Sequence, residues 1–370
     1  MKIPLFKTHF TDSCRLRILS DMETILGSGH LMMGPYKDQF EQLFSETLRV
    51  PHAVSVNSCT TALTICLKYY DVADFDVLVP SGSFITSISS ILFAGGRPVL
   101  VDMNPETLSF DLDDLERKRT PRTKGIIWVH LTGFITPEYE KIVDYSKVND
   151  LFLVEDAAQA LGAKVDGLCA GSIGDAGCFS FYPTKIITTG TGGMITTKDE
   201  GLRNYARKMR LFGKDLGTNE VVDLGNDWFL DEIRACIGYH QLSELSENIS
   251  RRREIAQKYA GLLKTKMGMN LLNVPKENNP SYYQFPIFLD RAIDTQGLIE
   301  KLKNEYGIES KVIYLPCHKE KVFRKYDDGT LSRTEETLGR SLCLPLYSEI
   351  SDREIEYVVD SLTREIEYLI

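Results

Sequence analysis

The chain has 370 residues, 43% hydrophobic and 26% charged, which is enough for one large unit and a smaller one beside it. Its net charge of -9, with no basic run longer than the arginines at 251–253, argues against a nucleic-acid partner. No apolar stretch approaches the roughly 20 residues of a membrane helix, and MKIPLFKTHFTDSCRLR lacks the apolar core of a signal peptide, so a cytoplasmic protein away from membranes is expected.

In chain order, residues 1–15 read as an arm. From about 50 to 200, short apolar runs (HAVSV, DVLVP, RPVLVD, GIIWVHL, LFLVED, AGCFSF, GGMITT) read as seven strands. Between them TTALTICLKYY, FITSISSILFAGG, EYEKIVDYSKVN and DEGLRNYARKMRLFG read as helices. Strands that are apolar throughout, with helices between them, predict a mainly parallel sheet covered on both faces, an α/β fold. Such sheets gather ligands at the carboxyl ends of their strands. Residues 231–259 read as one long helix, and the texture changes after Gly261. NPSYYQFPIFL, TQGLIEKLKNEYG, ESKVIYLP and DREIEYVVDSLTREIEYL outline a small α/β domain. The boundary is placed near residue 245, giving a large domain 1–245 and a small domain 246–370.

The eight cysteines (Cys14, Cys59, Cys66, Cys169, Cys178, Cys236, Cys317, Cys343) contain no CxxC pair and read as reduced thiols. The six histidines form no HxxxH or HxH pair, so no metal centre is expected.

Four segments carry residues suited to chemistry. LFLVEDAAQA ends a buried strand in Glu155-Asp156, with Gln159 just beyond. An acid there is costly without a partner. A protonated pyridine nitrogen is one such partner, and a simple strand-end cap is the alternative. GCFSFYPTKIITTGTGG sets Lys185 between an aromatic strand and a Gly-Thr turn, which suits a partly desolvated amine; an ordinary loop lysine is the alternative. Ser180, upstream, is placed to donate to a phosphate. In VSVNSCTTALTICLKYY a helix begins at Cys59-Thr60, and its free N–H groups with the Thr60 hydroxyl make either an anion site or a plain cap. Phe84, in VPSGSFITS, is suited to lie on a flat ring or to pack in the core. His130, ending GIIWVHL, reads as a substrate contact or a satisfied core histidine. Tyr314 and His318, in YLPCH, read as substrate contacts from the small domain or as loop residues.

Taken together, these segments resemble the DegT/StrS-type nucleotide-sugar aminotransferases, of the fold type I pyridoxal-phosphate enzymes, over nearly the whole chain. NSCTTAL resembles that family's phosphate-binding turn and PSGSFITSISSILFAGGRPVLVD its aromatic stacking segment. VEDAAQALGA resembles its cofactor-nitrogen motif and FSFYPTKIITTGTGG its lysine motif, while the C-terminal YLPCH and LCLPLY are weaker matches. The resemblance implies pyridoxal 5'-phosphate held as a Schiff base by Lys185, which later carries the proton. It implies Asp156 at the pyridine nitrogen, Gln159 against the ring near its hydroxyl, Phe84 on the ring face away from Lys185, and Cys59, Thr60 and Ser180 at the phosphate. It further implies L-glutamate as donor, a nucleoside-diphosphate-linked keto-deoxysugar as acceptor, and a homodimer with its site at the subunit interface. The product would be an amino sugar for a cell-surface polysaccharide, such as a lipopolysaccharide O-antigen, or for a secondary metabolite. The chain departs from the family pattern at Cys59, where Gly is usual, and at Thr191, where Glu is frequent. It also departs at Asp227 and Phe229, where an Asn and an Arg are usual; either a one-residue shift gives the neighbouring subunit's phosphate to Asn226, or that subunit's contribution differs. A sugar dehydratase, or a regulatory protein that binds the cofactor without turnover, stays open as an alternative. Lys185 itself favours transamination, since some dehydratases of this superfamily carry His there.

Overall fold

A computed structural model describes residues 2–369. All seven expected strands form one sheet: β1 (His52–Val56), β2 (Asp76–Pro80), β3 (Arg97–Val101), β4 (Thr123–Val129), β5 (Phe152–Asp156), β6 (Ala176–Ser180) and β7 (Gly193–Thr197). Their spatial order is β1-β7-β6-β5-β4-β2-β3. Only β7 runs against its neighbours, β1 and β6; every other pairing is parallel.

Alternate residues explain why the strands are apolar throughout. Leu78, Ile126, Trp128 and Leu153 face one core, which includes the Phe40, Phe44, Phe179 and Phe181 cluster. Val77, Val79, Ile127 and Val154 face the other, beneath the helix Cys59–Tyr69. A sheet sandwiched in this way has no solvated face, so no strand needs a polar alternation.

The second unit has its own core around the antiparallel strands Met269–Leu271, Phe285–Leu289 and Ser341–Leu344. The helices Thr295–Tyr306 and Asp352–Leu369 pack on it.

Three details differ from the sequence-based expectation. The long helix over 231–259 is two helices, Glu232–Ser243 and Leu245–Leu263, parted at Glu244. Tertiary contacts hold the break, because the Glu244 carboxylate accepts from Thr11 Oγ1 (2.8 Å) and Arg17 (2.9 Å). The second of these helices spans both cores: Leu245 and Ile249 lie in the first, Ile255, Tyr259 and Leu263 in the other. We propose the break as the boundary between residues 1–245 and 246–370. The N-terminal arm ends where Thr11 caps the helix Asp12–Ser28. Its Ile3 bridges to Ile308 and is buried in the second core, so the arm straps one unit to the other. Finally, ESKVIYLP makes only the single bridge Lys311–Cys343 and is otherwise irregular.

Candidate active site

A cavity of about 450 Å³ opens at the carboxyl ends of the strands, and it is lined by residues from both units. The sheet side supplies Cys59, Thr60, Phe84, Asp156, Gln159, Ser180 and Lys185. Every cofactor-contact residue expected from the sequence except Asn226 therefore borders one space.

β5 ends in two acids whose fates diverge because successive strand residues point to opposite faces. Glu155 is fully buried and accepts from the backbone N–H groups of Gly171, Ile173 and Gly174, each at 2.7 Å. His130 Nε2 lies 2.7 Å from Glu155 Oε2, the oxygen that also accepts from Gly171. Asp156 faces the cavity at 5% exposure, oriented by the Ser87 hydroxyl (2.7 Å) and the Ala158 N–H (3.1 Å). Cys59 Sγ lies 4.0 Å from Asp156 Oδ1. Burial, then the Asp156 charge, pushes that thiol well up, while Lys185 pulls it down. One buried thiol that senses both charges ties Asp156 and Lys185 to the same small volume.

Gln159 is held at both ends of its amide. Its Oε1 accepts from the Thr132 N–H (2.8 Å), and its Nε2 donates to the Tyr314 hydroxyl (3.3 Å). Thr132 makes the first contact from a left-handed backbone (φ 61), a strained state for a β-branched residue that marks a position fixed by its surroundings.

The helix Cys59–Tyr69 turns its N-terminus to the cavity. Ser58 Oγ caps the Thr61 N–H, which leaves the first N–H groups, at Cys59 and Thr60, for an external anion. β7 passes so close that a Cβ on Gly193 would lie 2.4 Å from the Ser58 carbonyl carbon, so only glycine allows this cup. Thr191 Oγ1 donates to the Asn57 carbonyl (3.1 Å), closing the strand end behind it.

The residues fit pyridoxal phosphate. There is a lysine for the aldehyde, an oriented carboxylate for the ring nitrogen, a glycine-backed row of free N–H groups for the phosphate, and Phe84, 45% exposed, for a ring face.

Two residues expected at the substrate lie elsewhere. His130 is 1% exposed, with its ring 4.4 Å from that of Trp128 and its Nε2 spent on Glu155, so it bolts the core beneath the site. His318 is fully buried between Ser81 Oγ (2.6 Å) and Glu335 Oε1 (3.1 Å). Both are buried side chains that a substrate cannot reach. Asn226 is exposed, its side-chain Oδ1 accepting from the Asp227 N–H (2.8 Å), and it does not line its own chain's cavity. Tyr314 does line the cavity, its ring 5.5 Å from Phe84.

The sequence reading missed Ser87, Thr184, Tyr283 and Lys311. Tyr283 is the most informative. Its hydroxyl is 3.0 Å from Thr184 Oγ1, and Lys185 Nζ stands 4.5 Å from its ring centroid. Burial raises this phenol, but the charge of Lys185, the Thr184 hydrogen bond and the charge of Lys311 outweigh it and hold it below the ordinary value. Tyr314 goes the other way: burial, then Tyr283 and Asp156, push it well up. The doubled tyrosine in NPSYYQF was the one available signal, and it carries no motif.

Such a sheet, with a lysine and a carboxylate facing one cavity at its strand ends, defines a fold type I pyridoxal-phosphate aminotransferase. The chain belongs to the DegT/DnrJ/EryC1/StrS aminotransferase family, which matches residues 13–363. It is 33% identical over 339 residues to a GDP-perosamine synthase of Escherichia coli O157:H7, covering 89% of this chain and 90% of that one. The solved aminotransferase TlmJ from Streptoalloteichus hindustanus superposes with a TM-score of 0.92 at 31% identity, covering 99% of both chains. NtdA from Bacillus subtilis, solved with bound cofactor PMP, superposes with a TM-score of 0.89 at 29% identity, covering 97% of this chain and 83% of that one. The cofactor is pyridoxal phosphate.

Proposed function

We propose that the protein moves an amino group from L-glutamate onto a keto-deoxysugar linked to a nucleoside diphosphate, making an amino sugar for a surface polysaccharide or a secondary metabolite. The observation that carries the reading is the shared cavity of Lys185 and Asp156, taken with a family whose relatives include a GDP-perosamine synthase. Pyridoxal phosphate, when bound, supplies the electron sink for a carbanion at the donor's α-carbon. The Lys185 amine takes the proton from that carbon as general base. Asp156 keeps a positive charge favourable at the ring nitrogen, and Ser87 with the Ala158 N–H keeps the carboxylate aimed. The N–H groups at Cys59 and Thr60 anchor the phosphate, with Ser180 beside them.

A homodimer completes this reading, in the cytoplasm. The N-terminal helix exposes Leu16 (64%), Leu19 and Leu26, and the segment before Asn226 exposes Val221, Val222 and Leu224 (86%). Apolar surface of that extent favours a partner, and Asn226 beside it would reach the partner's phosphate site. The test is product mass: cofactor-loaded protein with glutamate and a panel of nucleotide keto-sugars. Aminated sugar, formed in step with 2-oxoglutarate, is expected. Amination of simple α-keto acids alone would remove the sugar from the proposal.

A further inference from the structure

Lys311 lines the cavity from the second unit, on a segment pinned by the Lys311–Cys343 bridge and by the Ile313 N–H donating to Ser341 Oγ (2.9 Å). Its ammonium stands 5.5 Å from the Tyr314 ring centroid. Among the described residues no carboxylate comes within the 4.0 Å of an ion pair. The acid on the same cavity, Asp156, is turned to the Ser87 hydroxyl (2.7 Å) and the Ala158 N–H (3.1 Å), and Glu309, two residues upstream of Lys311, caps the Leu5 N–H (3.1 Å). A half-buried cation without a counter-charge is costly, and in a binding cavity that cost is removed by an anionic ligand.

The cofactor phosphate already has its own donors at Cys59, Thr60 and Ser180. Lys311 is instead linked to the reacting lysine through Tyr283, whose ring lies 4.5 Å from Lys185 Nζ and whose hydroxyl senses both ammonium charges. An α-amino acid carries its carboxylate one carbon from the nitrogen that must reach Lys185, so its anion site has to be beside that lysine. A nucleotide's diphosphate is separated from the reacting carbon by a sugar ring and falls farther out.

We propose that Lys311 binds the α-carboxylate of the amino donor, with the Tyr283 hydroxyl alongside. This rests on the aminotransferase reading above and names the chemistry by which the donor is selected: an α-amino acid in preference to a simple amine. It also gives the two half-reactions different demands on one cavity, because only the donor brings a carboxylate to this wall.

The experiment follows the cofactor's absorbance in the holoenzyme as α-amino acids, glutamate first, are titrated into wild type, Lys311→Met and Lys311→Arg. Binding of 2-oxoglutarate to the aldehyde-loaded protein is measured alongside by calorimetry. Lys311→Met should weaken both the donor's saturation and the keto-acid's binding about 10- to 100-fold, the worth of one charge-assisted hydrogen bond. Lys311→Arg should recover part of the loss, and the half-reaction of amine-loaded enzyme with keto-sugar should change little. Unaltered binding in Lys311→Met would overturn the proposal. So would a loss confined to the sugar half-reaction, which would give Lys311 to the diphosphate, or a wild-type spectrum that responds equally to donors lacking a carboxylate. A protein that aminates no sugar yet loses amino-acid binding in Lys311→Met would refute the sugar reading and leave Lys311 in place.

Discussion

The two walls of the active-site cavity are built on different principles. On the sheet side, Asp156 and Ser180 end strands and Cys59 and Thr60 begin a helix, so backbone hydrogen bonding fixes each residue to within a fraction of a turn. On the other side Tyr283 precedes a strand and Lys311 and Tyr314 lie on an irregular segment, positioned by long-range contacts to Thr184, Cys343 and Gln159. On the proposed reading the regular wall would hold the parts that the cofactor needs whatever the substrate. The irregular wall, free to vary without disturbing a sheet, would be where donor and acceptor are told apart.

The sharpest test of that division is Lys185→Ala. It should lower turnover by at least about 10³-fold and abolish the borohydride-trapped cofactor adduct, with circular dichroism unchanged. Retained activity would dissolve the regular wall as the seat of chemistry. Next come the neighbouring acids. Asp156→Asn should cost about 10²-fold in turnover and little in melting temperature. Glu155→Gln should do the reverse, removing about 3 kcal/mol of stability because His130 and the three backbone N–H groups lose a buried charge. If both variants failed in the same manner, the two faces of β5 would not be functionally distinct.

The smallest expected effect concerns Tyr283. In the cofactor-free protein the Lys185 and Lys311 cations favour the phenolate, so its proton should leave at lower pH than the 10 of a free tyrosine. Stability gained from that phenolate is present at high pH and is lost as pH falls through the lowered value. Ultraviolet difference titration should show one phenol ionising early in wild type and none in Tyr283→Phe. Turnover in Tyr283→Phe should fall only several-fold, by roughly one neutral hydrogen bond. In Lys311→Met the early phenol should move back up, and an unmoved titration would separate Tyr283 from Lys311.

The seven strands were legible because each is a run of residues buried on both faces, and no other common structure wants that pattern in alternation with helices. Asp156 was legible as a strand end, and Lys185, five residues beyond β6 in a turn, through the motif that resembles the family's. His130 and His318, each left open between a substrate contact and a core or loop residue, stayed undecided for one reason. A histidine at a strand end or in a Pro-containing loop looks the same in sequence whether its ring meets solvent or a buried Glu155 or Ser81. The direction of a side chain, and the partner its ring meets, are decided by segments far away in the chain.

By itself, then, the order of residues determined the doubly covered sheet and the helix start at Cys59-Thr60, while its resemblance to a known family implied Asp156, Lys185 and the cofactor. The sheet and the helix start depend on periodicities within short stretches, where the backbone leaves few choices. The tertiary structure alone decided that Glu155 is a bolt, that the helix breaks at Glu244, that Ile3 straps the two units together, and that Lys311 and Tyr283 join Lys185. Each of these joins residues far apart in the chain, and such contacts follow from how separate elements pack, which no local pattern encodes.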